Sequence, residues 1–194
     1  MKETIEQEYK KAKRRSAKPM LWISMVSMTM MFAGLTSAYV VSRKRDDWVS
    51  FDLPQAFYIS TVLIILSSVT FFLAKQFIKR DKRQLTTLSL LLTLLLGLGF
   101  AYFQYRGIFV ELYDAGLVFA GEESTVKSSF IGGITLAHLA HIAAGIVVLL
   151  VVSINHFRRK YSSADYLGLD LGSIFWHFVD ILWIYLILFF YFIR

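Results

Sequence analysis

Two pairs of ionisable residues stand inside otherwise apolar stretches, His138 with His141 and His177 with Asp180, and the members of each pair are three apart. On a helix that spacing puts both side chains on one face. Imidazole and carboxylate groups can ligate a metal, relay a proton or hydrogen-bond one another, so these four residues bound the chemistry open to the chain. The sequence contains no cysteine, which removes disulfides, thiolate metal sites and cysteine nucleophiles together. The Glu-x-x-His motifs that mark a carboxylate-bridged metal site in a helix bundle are absent as well. A transmembrane haem needs two axial imidazoles facing one cavity, and His138 with His177 could in principle supply them. With four histidines in all, and His156 near the end of a stretch, little remains to complete a redox centre. The residues therefore read as a structural intramembrane polar cluster, with no catalytic residue and no metal ligand among them.

Two arrangements satisfy that cluster. In one, Asp180 hydrogen-bonds a histidine of the other pair, His141 first, because counting ~1.5 Å per residue from the intervening connection brings the two to overlapping depths. In the other, each residue finds a backbone or hydroxyl group on its own. The spacing alone leaves both open.

The elements that carry these residues follow from composition. Apolar residues make up 56% of 194 positions and charged residues 18%, which exceeds what a soluble core of this size has to hide, so the surplus faces lipid. Apolar runs cover residues 20–41, 54–78, 85–105, 130–154 and 171–193. Each approaches or exceeds the ~20 residues that cross a ~30 Å hydrocarbon layer as a helix. Strand alternation is absent, and backbone groups in lipid must be satisfied internally, so the fold class is all-α, a polytopic bundle of five transmembrane helices. The first run is about twice the ~7–15 residues of a secretory h-region and is read as a retained span. Residues 1–18 form a polar tail, expected as a frayed or surface-lying helix with Glu6 and Lys10 four apart. Residues 19–194 form a single membrane domain without repeats.

The net charge of +7 sits in short blocks that flank the apolar runs, which is the orientation pattern and not a nucleic-acid surface. The tail, the connection around Lys79 to Arg83 and the connection Arg158, Arg159, Lys160 fall on one side, so the N-terminus is expected in the cytoplasm and the C-terminus outside. Arg43, Lys44 and Arg45 run against the rule, with Asp46 and Asp47 beside them. Arg158, Arg159 and Lys160 have two readings, a site for anionic lipid headgroups or the orientation anchor already counted. Gly133, Ala137, His141 and Gly145 recur at four-residue steps, a small-residue stripe that lets a neighbouring helix approach. Met25, Met28, Met30 and Met31 resemble a soft packing surface, and interface anchoring accounts for at least Trp22 and Trp176. The longest connection, residues 106–129, is expected to fold back over the outer helix ends.

The run Trp176, His177, Phe178, Val179, Asp180, Ile181, Leu182, Trp183 resembles the Trp-His-Phe-Val-Asp-x-x-Trp signature of subunit III of the haem-copper respiratory oxidases. Ala137, His138, Leu139, Ala140, His141 and Ile142, with Gly145 following, are similar to that family's paired-histidine helix. Pro54, then Ser67, Ser68, Val69 and Thr70, then Gly97, Gln104, Glu111 and Leu112 follow the same order, so the resemblance covers nearly everything after the tail. It implies the short five-helix form of a subunit that binds no haem or copper of its own. Those cofactors belong to partner subunits I and II. The subunit holds phospholipids and helps the catalytic subunit take up protons. At Met28 the family usually has a membrane glutamate, and a thioether cannot carry a proton. Asp170 replaces a family glutamate with the charge kept and the reach one methylene shorter.

The resemblance points to aerobic respiration in a bacterial inner membrane, with electrons passing to oxygen from cytochrome c, alone or within a larger respiratory assembly. A subunit III-like partner of a quinol oxidase or nitric oxide reductase is the alternative. A membrane cytochrome anchor and a small transporter are further rivals. The transporter is disfavoured because no span is broken by an internal proline.

Overall fold

The computed structural model describes residues 2–45, 48, 52–115, 121, 124–163 and 165–193, and all the regular structure among them is helical. The elements are α1 (Lys2–Ser42), α2 (Gln55–Lys79), α3 (Arg83–Arg106), a π-helical turn (Gly107–Glu111), α4 (Leu112–Asp114), α5 (Val126–Phe157) and α6 (Leu167–Phe192). Five stretches are long and apolar enough to cross a membrane, namely Arg14–Ser42, Gln55–Lys79, Arg83–Asp114, Val126–Phe157 and Leu167–Phe192. The protein is an integral membrane helix bundle.

The helix ends differ from the apolar runs in three places. The tail is continuous with the first span, because α1 runs unbroken through Pro19, whose missing amide leaves only the Arg15 carbonyl without its partner. The side chains of Glu6 and Lys10, and the whole of Asp46 and Asp47, lie outside the described residues. The third span does not stop at Tyr105 but continues through the π-helical turn to Asp114, so most of the expected fold-back at its start is helix. α5 begins at Val126, where the Thr125 hydroxyl accepts the Ser128 amide and the Ser128 hydroxyl accepts the Thr125 amide, a reciprocal cap.

Packing order follows from which faces are small or aromatic. α2 and α3, joined by a turn at Arg80 to Lys82, share the longest seam. Ser60, Ile64, Ser67, Phe71, Ala74 and Ile78 recur at three and four residues along the buried face of α2. Lipid offers no hydrophobic force between helices, so small residues and hydrogen bonds must hold them. Ser67 donates to the Thr93 carbonyl at 3.2 Å, Thr70 and Thr93 hydroxyls meet at 2.8 Å, and Gln104 Nε2 donates to Ser60 Oγ at 2.9 Å. Each such bond is worth about 0.6 kcal/mol on average.

α6 is the central rod. Half of its most apolar window is buried, against 17% for α1, and it contacts α1, α2 and α5. α1 is peripheral and presents a narrow seam of Met25, Phe32, Thr36 and Tyr39, with Met28 and Leu35 half-buried beside it. Met30 and Met31 are exposed, so only half of the methionine group packs as expected. The small-residue stripe also divides: Gly145 is pressed against Trp176, whereas a Cβ at Gly133 would meet nothing. Met28 is half-buried and packs against the apolar cluster. Met28→Glu is therefore expected to destabilise the chain by about 2–3 kcal/mol, read as a lower unfolding midpoint in detergent. An unchanged midpoint would show that the position reaches water.

Candidate functional site

The signature on α6 is built as a lock between helices. Trp176 and Trp183 are seven apart, both fully buried, and both turn their indole N–H toward α2. Trp176 donates to Ser67 Oγ at 3.1 Å and Trp183 to Thr61 Oγ1 at 3.0 Å. The Trp176 ring fills a slot between two glycines: a Cβ at Gly97 of α3 would lie 2.7 Å from it, and one at Gly145 of α5 would lie 3.1 Å away. Trp176 is thus a core residue held by three helices and not an interface anchor. Trp183 meets Phe57, Phe100 and His138 at centroid distances of 5.6, 5.6 and 5.2 Å.

The histidines do not pair with Asp180. His138 Nε2 donates to the Val179 carbonyl of α6 at 3.1 Å, which fixes its tautomer and ties α5 to α6. His141 Nδ1 donates to the Ala137 carbonyl of its own helix at 2.7 Å and packs edge-on against Phe32. His177 turns to α2, where Nδ1 and Ser68 Oγ are 2.6 Å apart. Neither oxygen of buried Asp180 has a hydrogen-bond partner among the described residues, although the Ser68 side chain is its electrostatic neighbour. Of the two arrangements left open by the sequence, the histidines follow the second, with backbone and hydroxyl partners of their own, because spacing fixes a helix face but not its rotation against the next helix. The residues form two groups: His138 and His141 lie against Phe32 of α1, while His177 and Asp180 lie at Ser68 of α2. Among the described residues, no three metal-ligating side chains converge.

At the end of the bundle that carries most of the basic residues, Asp170 joins three helices. Its carboxylate meets Lys18 of α1 at 2.8 Å and Lys75 of α2 at 2.5 Å. Arg14 pairs with Asp165, and Lys79 stands over the Tyr166 ring at 5.9 Å. Arg83 Nη2 donates to the His156 carbonyl at 3.2 Å, while Thr87 meets His156 Nε2 at 3.0 Å. Arg158, Arg159 and Lys160 are exposed on the turn after α5. Sequence reading missed the lysine partners of Asp170, since the three residues are far apart in the chain.

Asp81 Oδ1 accepts the Ser163 amide at 3.1 Å and so links the α2–α3 turn to the α5–α6 connection. Hydrogen bonds from Ser163 hold this carboxyl below its ordinary value of 3.8. A lowered carboxylate pKa stabilises the fold above the ordinary value, and that contribution is lost as pH falls through the lowered one. Exchange protection of the Ser163 amide is therefore expected to hold from neutral pH down to about pH 4 and to fall below it. Protection that is unchanged in Asp81→Ala contradicts the link.

At the opposite end Glu111 Oε2 accepts the Ala56 amide at 3.0 Å, which caps α2 where Pro54 precedes it. The π-helical turn places that carboxylate, and it does so by bringing Gly107 so close to Phe57 that a Cβ would lie 2.5 Å from the ring.

Two apolar grooves flank Ile181. One, of about 290 Å³, lies between α1 and α6 and is lined by Thr29, Phe32, Ala33, Phe178, Leu182 and Tyr185. The other, about 340 Å³, lies between α2 and α6 and is lined by Ser68, Val69, Phe72 and His177.

Comparison with known proteins supplies the family. Residues 49–194 match the model of cytochrome c oxidase subunit III. The chain is 26% identical over 174 residues to the probable quinol oxidase subunit 3 of Staphylococcus saprophyticus, covering 85% of this chain and 83% of that one. It is 29% identical to cytochrome c oxidase subunit 3 of Spodoptera frugiperda over 66% of this chain and 82% of the relative. The Gadus morhua protein of that name is 30% identical over 66% of this chain but only 46% of its own length. The match contains the π-helical turn, the paired histidines and the whole α6 lock, and the chain belongs to the cytochrome c oxidase subunit III family of the haem-copper respiratory oxidases.

Proposed function

We propose that this chain is a non-redox subunit III of a proton-pumping terminal oxidase, bound beside subunit I with subunit II in the same complex, in a bacterial inner membrane. The observation that carries the reading is the use made of the intramembrane polar groups. His138, Trp176 and Trp183 each bond a neighbouring helix, so their chemistry is spent on holding the bundle together. Haems and copper then reside in the partner subunits. The tail end is cytoplasmic by its lysine and arginine content, and Met28 means that any help with proton uptake does not pass through a carboxylate at that position.

Phospholipid is the second ligand class. In the α1–α6 groove Thr29 donates to its own helix at Met25 and the Tyr185 hydroxyl meets Thr36, so the polar wall groups are satisfied and the lining suits an acyl chain. The exposed Arg158, Arg159 and Lys160 suit anionic headgroups at the basic interface. Cytochrome c is the proposed donor, in keeping with the family name. Quinol is a second reading, favoured by the staphylococcal relative, whose match extends over most of both chains.

The test is purification of the chain from native membranes. Haem-bearing oxidase subunits are expected to accompany it, with oxygen uptake driven by reduced cytochrome c and not by quinol. Deleting the chain should leave the haems in place while turnover decays faster. A stoichiometric Soret band from the isolated chain would overturn the reading.

A further inference from the structure

His177 is half-buried, and Nδ1 is engaged by Ser68, whereas Nε2 has no partner among the described residues and is not enclosed. The ring lines the groove between α2 and α6 together with Ser68, and the remaining walls, Val69, Phe72 and Ile181, are apolar and exposed. Whichever of Ser68 and Nδ1 holds the shared hydrogen, Nε2 is left with a hydrogen or a lone pair that needs a mate. A lipid-facing imidazole edge at membrane depth is unfavourable without one.

Depth decides what the mate is. His177 lies seven residues, ~10 Å or two turns, inside the Asp170 ion cluster that marks the basic interface, and ~22 Å from the far end of α6. Lipid ester carbonyls stay at the hydrocarbon boundary and water does not enter the core, so neither reaches this level. The α1–α6 groove makes the contrast, because its polar groups are already satisfied by the chain itself.

We infer that the α2–α6 groove is the docking surface for a transmembrane helix of another oxidase subunit, which presents a hydroxyl or amide side chain to His177 Nε2. Such a side chain both donates and accepts, so it suits either tautomer. Phe72 and Ile181 form the apolar rails on which that helix lies. The inference rests on the proposed membership of an oxidase complex.

A photocrosslinking amino acid at Phe72 in the intact complex tests it. The expected product is an adduct with a haem-bearing oxidase subunit, while the same group at Met30 on the outer face of α1 gives none. Adducts of Phe72 with lipid alone, or with a second copy of this chain, overturn the inference. His177→Phe should reduce recovery of the chain with the haem-bearing subunits by ~3- to 20-fold, the worth of one interhelical hydrogen bond, and His177→Gln should restore part of it. Equal recovery of the Phe and Gln variants overturns the hydrogen bond. If the Phe variant fails to fold as an isolated chain, the crosslink alone decides. Failure of the chain to accompany any oxidase refutes the proposed function, whereas association without a Phe72 adduct to the oxidase refutes only this surface.

Discussion

Gly97→Ala is expected to destabilise the bundle by about 1–3 kcal/mol, although it adds only one methyl group. The new carbon would sit 2.7 Å from the Trp176 ring. That ring is confined, since Gly145 bounds it at a second edge and Ser67 accepts its N–H. Relief must then come from separating α3 and α6, which would also stretch the contacts of Trp183 with Phe100. The double variant Gly97→Ala with Trp176→Phe isolates the mechanism, because the smaller ring leaves room for the methyl. Unfolding in detergent should show that the glycine substitution costs much less in the Phe background than in the Trp background. Equal costs in both backgrounds would show that backbone effects at Gly97, and not the slot, account for the loss.

Asp170→Ala is the second large effect expected, about 1–3 kcal/mol, because it leaves two ammonium groups at one three-helix junction without their counter-charge. The lower end of that range reflects Lys18, whose side chain is half exposed and screened by solvent. The loss should be local before it is global. α1 touches the bundle through a narrow seam with α5 and α6, so Lys18 to Asp170 is a substantial part of what holds its basic half. Hydrogen exchange along the α1 stretch near Lys18 should rise well before exchange in α2 or α3. Asp170→Glu should retain most of the protection, since lysine side chains can absorb one methylene. Uniform loosening of all five spans would argue that Asp170 acts through α6 alone.

The five crossings were legible because lipid imposes a simple requirement, twenty or so apolar residues in a row, and each helix meets it. Their ends were less so. α1 runs on through Pro19, deep inside the helix, with the loss of the one hydrogen bond that the proline cannot donate, and composition changes at Lys18 with no break in the helix. The extension of α3 was hidden by Arg106 and Glu111, which look like loop residues but pair with each other from within the helix while Glu111 caps α2.

The α6 signature was legible as a set of residues, and its partners were not. Spacing predicted that His138 and His141 share a face, yet the first reaches the Val179 carbonyl and the second its own helix. Rotation of one helix against another depends on Gly97 and Gly145 admitting Trp176, a shape that no single-helix pattern encodes. Thr61, Ser67 and Ser68 receive three of the signature's polar groups from a helix more than a hundred positions away.

The segment from Gly107 to Glu111 accommodates one surplus residue by widening a single turn. Removing one residue there would let the rod tighten to ordinary winding with little change of phase beyond it, because the widened turn covers about the same angle as an α-helical stretch one residue shorter. Glu111 would still face the Ala56 amide, and what would be lost is the bulged wall that Gly107 presses against Phe57. The extra residue therefore gives the turn its girth and not its heading, and an engineered deletion there should be absorbed on the spot, with the rod beyond it left in register.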